Sequence, residues 1–144
     1  MDFNIKNKDD CENPICYSES SNLNKFIKKD VKNCPLNREK LGTYSWGFMH
    51  SFSFNIPETP TEFEKGEIKM FVNLFTKYYP CKSCSSHFQY LIRKNPIKVN
   101  TKEEFTIWLC ERHNEVNEVL NKKKFNCEYN NLKLRWFKND KCLD

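Results

Sequence analysis

Four prolines divide the apolar part of this chain into short pieces. Pro57 and Pro60 bracket a turn, Pro80 closes a second stretch and Pro96 a third. A proline inside a helix removes one hydrogen bond and clashes with the preceding turn, so no regular helix runs through any of them. Between these stops the apolar residues recur at helical spacing. Leu41 to Phe54 is dense in aromatics, with Gly42 near its start. Thr61 to Tyr78 carries Ile68, Phe71, Val72, Phe75 and Tyr78, the stripe of an amphipathic helix. A third helix, about Cys81 to Lys94, uses Phe88, Leu91 and Ile92. Thr101 with Glu104 reads as a capping box, and Phe105, Trp108, Leu109, Val116 and Leu120 continue on one face. Leu132 to Phe137 forms one more short helix. The fold class expected is all-α, an antiparallel four-helix bundle with a short fifth helix.

A length of 144 residues suits a single core. Residues 1–33 are polar apart from Leu23, Phe26 and Ile27 and read as a mobile arm carrying Cys11 and Cys16. The folded domain, 34–144, begins at Cys34-Pro35. The net charge of +5 is spread among alternating Lys and Glu, with no basic run beyond Lys122, Lys123 and Lys124. Binding to nucleic acid by bulk electrostatics is therefore not expected. No apolar run approaches the ~20 residues of a membrane span. The start, MDFNIKNKDD, has the pattern of neither a signal peptide nor an Arg-rich presequence, so a soluble chain is expected.

Eight cysteines in such a chain point to metal binding or redox chemistry. Cys81-Lys82-Ser83-Cys84 follows Pro80, where a helix begins. The free N–H groups and partial positive charge of a helix N-terminus stabilise a thiolate, and the i, i+3 spacing lets the two sulfurs meet in a reducible disulfide. The same residues admit a second reading. Cys81-x2-Cys84 followed by Cys110-x2-His113 has the spacing of a zinc site. A purely structural disulfide is a third reading, and spacing leaves all three open. Gly42, Trp46 and His50 share a face of the first helix, as do Cys110, His113, Asn114 and Asn117 on the fourth. Trp46 and His50 are explained by an ordinary core. A histidine and two asparagines beside a core stripe fit better with a ligand that has many polar edges.

From Leu41 to Trp136 the chain resembles the Erv/ALR sulfhydryl oxidases. The resemblance rests on LGTYSWGFMH (41–50), FTKYYPCKSC (75–84), WLCERHNEVNEVLNKKKFNC (108–127) and the pair Arg135-Trp136. It implies a thiol oxidase that forms disulfides in protein dithiols, with FAD held non-covalently at the mouth of the bundle and electrons passed to oxygen, giving hydrogen peroxide, or to cytochrome c. Cys84 would be the flavin-proximal cysteine, and Cys81 the one that exchanges with incoming dithiols. FAD contacts carried over by position are Gly42, Trp46, His50, Tyr79, Cys110, His113, Asn114, Val116, Asn117, Lys122, Arg135 and Trp136, with Lys122 near the pyrophosphate.

The resemblance also implies a structural Cys110–Cys127 disulfide, worth about 3 kcal/mol by chain entropy. A homodimer is implied, bridged by Cys34 to Cys142 of the partner subunit, because Cys34-Pro35-Leu36-Asn37-Arg38-Glu39-Lys40-Leu41-Gly42 matches the opening of the short forms. Two positions depart from the family pattern. Thr43 stands where the family has an arginine, and the shuttle pair is C-x4-C, Cys11 and Cys16, rather than C-x-x-C. The implied partner is a dithiol-bearing import oxidoreductase or another thiol protein, in the mitochondrial intermembrane space. For a viral member it would be the cytosol of an infected cell or the virion. Neither a metal, a nucleic acid nor a membrane enters this reading.

Overall fold

A computed structural model describes residues 35–138. The expected arm with Cys11 and Cys16, the start of the domain at Cys34, and Cys142 lie outside the described residues. Five helices and no strand occupy the described part: α1 (Arg38–Asn55), α2 (Glu62–Lys77), α3 (Lys82–Lys94), α4 (Lys102–Val119) and α5 (Tyr129–Trp136). The all-α expectation therefore holds, and Pro57, Pro60, Pro80 and Pro96 all fall between helices.

Local chemistry sets the ends. α1 begins three residues before Leu41 because the Asn37 side chain accepts the Lys40 N–H at 2.9 Å. Thr61 starts α2 with a full capping box, reciprocated by Glu64. At α4 the expected box is displaced by one residue. Thr101 accepts the Glu104 N–H at 3.1 Å, but the Glu104 carboxylate takes the Asn100 N–H at 2.7 Å. Before α3, the Cys81 N–H donates to the Tyr79 carbonyl at 2.8 Å across Pro80, closing a three-residue turn.

α1 packs on α4 and α5, α4 packs on α5, and α2 pairs with α3. The main core joins Met49, Ile68, Val72, Phe105, Trp108 and Leu109. Inside it the Trp108 indole N–H donates to the Asn95 carbonyl at 3.1 Å. A second, smaller core of Phe54, Cys110 and Leu132 fastens α5 to the bundle. Two stripes stop earlier than their periodicity implies. Tyr78 is the C-cap of α2 and stands 71% exposed, and Leu120, at the end of α4, is 40% exposed. Past Leu109 the inner face of α4 meets a cavity instead of another helix. On the outside of α1, Tyr44 and Phe48 stay exposed, with Phe48 against the Phe71 and Phe75 rings of α2 at 6.3 and 6.4 Å.

Replacing a capping Thr by Ala costs about 1 kcal/mol. Thr61→Ala, which removes the side-chain half of the box at α2 and keeps the Thr61 N–H bond to Glu64, should lower the unfolding free energy measured in urea by that amount while leaving the far-UV helical signal of the native state unchanged.

Candidate active site

Cys81 and Cys84 form a disulfide, with Cα atoms 5.3 Å apart, at the start of α3. Cys81 is the N-cap residue and Cys84 lies in the first turn, where backbone N–H groups point outward and favour negative charge. The Ser85 hydroxyl donates to the Thr76 carbonyl of α2 at 2.7 Å and accepts from Gln89 at 3.0 Å, which fixes the pair against the end of α2. The two sulfurs face different surroundings. Cys84 lines a cavity of 580 Å³, whereas Cys81 is 3% exposed, with Ser83 Oγ 3.6 Å from its sulfur.

All five helices, the turn before α3 and the loop after α4 build that cavity. α1 contributes Gly42 and Trp46, and the turn before α3 contributes Tyr79. His113, Val116 and Asn117 come from α4, Lys122 from the loop beyond it, and Arg135 and Trp136 from α5. Trp46 and His113 lie parallel, with centroids 4.0 Å apart and planes 6° from each other. His50 stacks on Trp136 at 4.6 Å. The two histidines share a hydrogen bond, Nε2 of His50 to Nδ1 of His113, at 2.9 Å. The Arg135 guanidinium lies over the Trp136 and Phe125 rings at 4.8 and 5.0 Å.

Lys122 reaches the wall through the way α4 ends. The Lys122 N–H donates to the Asn117 carbonyl at 2.7 Å and the Asn121 N–H to the Glu118 carbonyl at 3.1 Å, with Asn121 at φ 53°. This is a Schellman ending with asparagine in the left-handed position usually given to glycine. It reverses the chain and leaves Lys122 within 4.0 Å of Glu39 across the cavity mouth.

Three residues carried over as ligand contacts are not on the wall. His50, 1% exposed, sits behind it and orients His113. Cys110 is bonded to Cys127 and buried in the second core. The Asn114 amide is taken up by the 120–127 loop: its Nδ2 donates to the Phe125 carbonyl at 2.8 Å, and its Oδ1 accepts the Phe125 N–H at 2.8 Å. The four residues of the zinc reading are not gathered either. Cys81 is bonded to Cys84 and Cys110 to Cys127, and no cluster of three or more His, Cys, Asp or Glu able to hold a metal occurs among the described residues. Sequence reasoning passed over Arg38, Thr76, Ser85 and His87, all on the cavity wall. His87 could have been found from its spacing, one turn beyond Cys84.

Fold and site together define a helical thiol–disulfide domain in which one sulfur of a C-x-x-C bridge opens on an aromatic cavity with cations at its edge. Residues 43–137 match the Erv1 / Alr family, and the chain belongs to that family. It is 38% identical over 125 residues to the FAD-linked sulfhydryl oxidase ERV1 of Arabidopsis thaliana, covering 87% of this chain and 64% of that one. It is 43% identical over 95 residues to the mitochondrial FAD-linked sulfhydryl oxidase ERV1 of Saccharomyces cerevisiae, covering 66% of this chain and 50% of the relative. The chain thus spans between half and two thirds of the length of these relatives. The crystal structure of the yeast Erv1 core superposes with a TM-score of 0.71 at 40% identity, covering 78% of this chain and 93% of that one.

Burial, assisted by His113 and Arg135, lowers the His50 pKa from 6.5 to about 3. Burial, with Arg135 and Lys122, lowers that of His113 to about 4. Both rings are therefore neutral in the native state. Because the folded values lie below the unfolded one, the unfolded chain binds more protons under acid conditions. The stability that the neutral pair contributes is complete above pH 6.5 and is lost as the pH falls toward the two folded values. Urea denaturation should show stability falling by up to about 1.4 kcal/mol per pH unit for each ring below that point. His113→Asn should flatten the profile.

Proposed function

We propose that this protein is an FAD-dependent thiol oxidase that makes disulfides in protein dithiols, with Cys81 and Cys84 as its redox pair. The observation that carries the reading is the placement of Cys84 on the wall of a 580 Å³ cavity whose other walls include flat rings and three cations, Arg38, Lys122 and Arg135. These residues fit FAD. Trp46, His113, Tyr79 and Trp136 offer planar faces to its ring systems, and Lys122 and Arg135 offer positive charge to its pyrophosphate. Gly42, Val116 and Asn117 complete the contacts. His50, Cys110 and Asn114 support them from behind. Bound there, FAD supplies a two-electron acceptor beside Cys84.

The chain's own residues handle the thiol chemistry. An incoming thiolate attacks Cys81, the bond to Cys84 breaks, and Cys84 leaves as a thiolate favoured by the N-terminus of α3. Since Cys81 is 3% exposed, attack follows a local opening at the start of α3. Cys11 and Cys16 would relay electrons from protein dithiols to this pair. The acceptor of the electrons is oxygen, yielding hydrogen peroxide, or cytochrome c.

The working form is a homodimer. The aromatic face of Tyr44, Phe48, Phe71 and Phe75 is suited to self-association, and Cys34 would pair with Cys142 of the partner subunit. The name of the yeast relative favours the mitochondrion, and within it the intermembrane space, where a dithiol-bearing import oxidoreductase would be the substrate. Nucleic acid has no part in this reading. No helix among the described residues is long and apolar enough to cross a membrane.

The purified protein should show a visible flavin band that bleaches with dithiothreitol under anaerobic conditions and returns with oxygen. Colourless protein would overturn the assignment. Cys84→Ser should stay yellow and lose thiol oxidation, and retained turnover would count against Cys84. Cys11→Ser should spare small dithiols and slow protein substrates; equal loss on both would remove the relay.

A further inference from the structure

α3 brings a second titratable side chain to the cavity, one that the exchange scheme above does not use. His87 follows Cys84 by three residues, so the two project from one face of α3, with Cβ atoms about 5–6 Å apart. Both line the cavity. His87 is nevertheless 7% exposed, and a buried imidazole keeps such a place only among polar partners. Glu115 of α4 acts on it with its negative charge. Glu115 in turn lies 3.3 Å from the Nε of Arg112, itself 7% exposed, with its guanidinium 5.9 Å from the Trp108 ring.

The Glu115 carboxylate that pairs with the buried Arg112 guanidinium is thus also the negative charge felt by His87. Burial lowers the His87 pKa and Glu115 opposes that shift, leaving a ring that is neutral at rest with an anion at its back. Of the elements around it, α4 presents Glu115 and Arg112, and α2 presents Thr76, whose carbonyl holds Ser85. Lys122 and Arg135 line the same cavity.

We propose that His87, backed by Glu115 and Arg112, is the proton acceptor that holds Cys84 as a thiolate once the Cys81–Cys84 bond is reduced. The proposal rests on the oxidase reading above. When a substrate thiolate attacks Cys81, a new bond joins the substrate sulfur to Cys81, and Cys84 departs with the electron pair of the old one. A Cys84 sulfur that takes up a proton while the pair is reduced passes that proton to His87, giving back the thiolate with an imidazolium beside it. The imidazolium is then favoured by two negative charges, the thiolate one turn before it and the Glu115 carboxylate, against the cost of its burial. Bound flavin would be the acceptor of the two electrons and one proton released when the Cys81–Cys84 bond re-forms, with the second proton going to water. His87 carries the proton that comes from Cys84.

The test uses the flavin-loaded full chain carrying Cys81→Ser, so that Cys84 is the lone thiol of the pair. Its ionisation is followed by thiolate-to-flavin charge-transfer absorbance and by site-resolved iodoacetamide labelling across pH. Adding His87→Asn should move the Cys84 titration up by at least about one pH unit, a tenfold drop in thiolate below the midpoint, in protein that circular dichroism shows to be folded. Glu115→Gln should shift it the same way by less. A Cys84 titration unmoved by either change in folded protein overturns the proposal. If His87→Asn does not fold, an unmoved titration in Glu115→Gln alone does so. Colourless protein would strike the oxidase reading instead, while the labelling curve, which needs no flavin, would still decide for or against His87.

Discussion

The hydrogen bond between His50 and His113 is the contact on which the site depends. It joins α1 to α4 at the depth of the cavity, and each ring is also stacked, His113 on Trp46 and His50 on Trp136. Four flat groups from α1, α4 and α5 thereby lock one another in place. The arrangement requires both imidazoles to be neutral, because a proton added to either brings a charge among apolar rings next to Arg135. The rigidity that positions the wall and the sensitivity of the fold to acid thus share one cause.

Trp136 can take its place in that stack only because α5 is tied down. α5 has eight residues, too few for a stable isolated helix, and Leu132 is its one buried side chain. Its position is imposed from upstream. The Cys110–Cys127 disulfide and the paired hydrogen bonds of Asn114 to Phe125 hold the loop from α4, so that α5 starts where Leu132 meets Phe54. Cys110 and Asn114 therefore act on the cavity through geometry and not through contact.

The helices were legible because each rests on local chemistry. Proline stops, the spacing of Phe105, Trp108 and Leu109, and the Thr101 cap are features of neighbouring residues, and they place α2, α3 and α4 within a residue or two. The differences lie at the helix starts. Asn37 started α1 early, and the Glu104 carboxylate chose the N–H of Asn100 over that of Thr101. The site was legible by likeness more than by pattern. Gly42, Trp46, His113 and Asn117 do line one cavity, yet spacing alone could not separate His113, which faces it, from Asn114, one position further round the same helix and turned to the loop. Arg38 and Ser85 were missed because their relation to the cavity arises from packing between helices, which no local pattern encodes.

The burial of Cys81 sets how this disulfide communicates with its surroundings. Cys81 is 3% exposed and Cys84 lines the cavity, so the attacked residue of the bridge is covered in the resting fold. A small dithiol and a docked protein therefore meet the same requirement, an opening at the start of α3 that uncovers Cys81. Equilibration with the bulk thiol pool is governed by the frequency of that opening and not by the driving force. The fold thus sets the timing of exchange at the bridge through the start of α3, whichever thiol attacks.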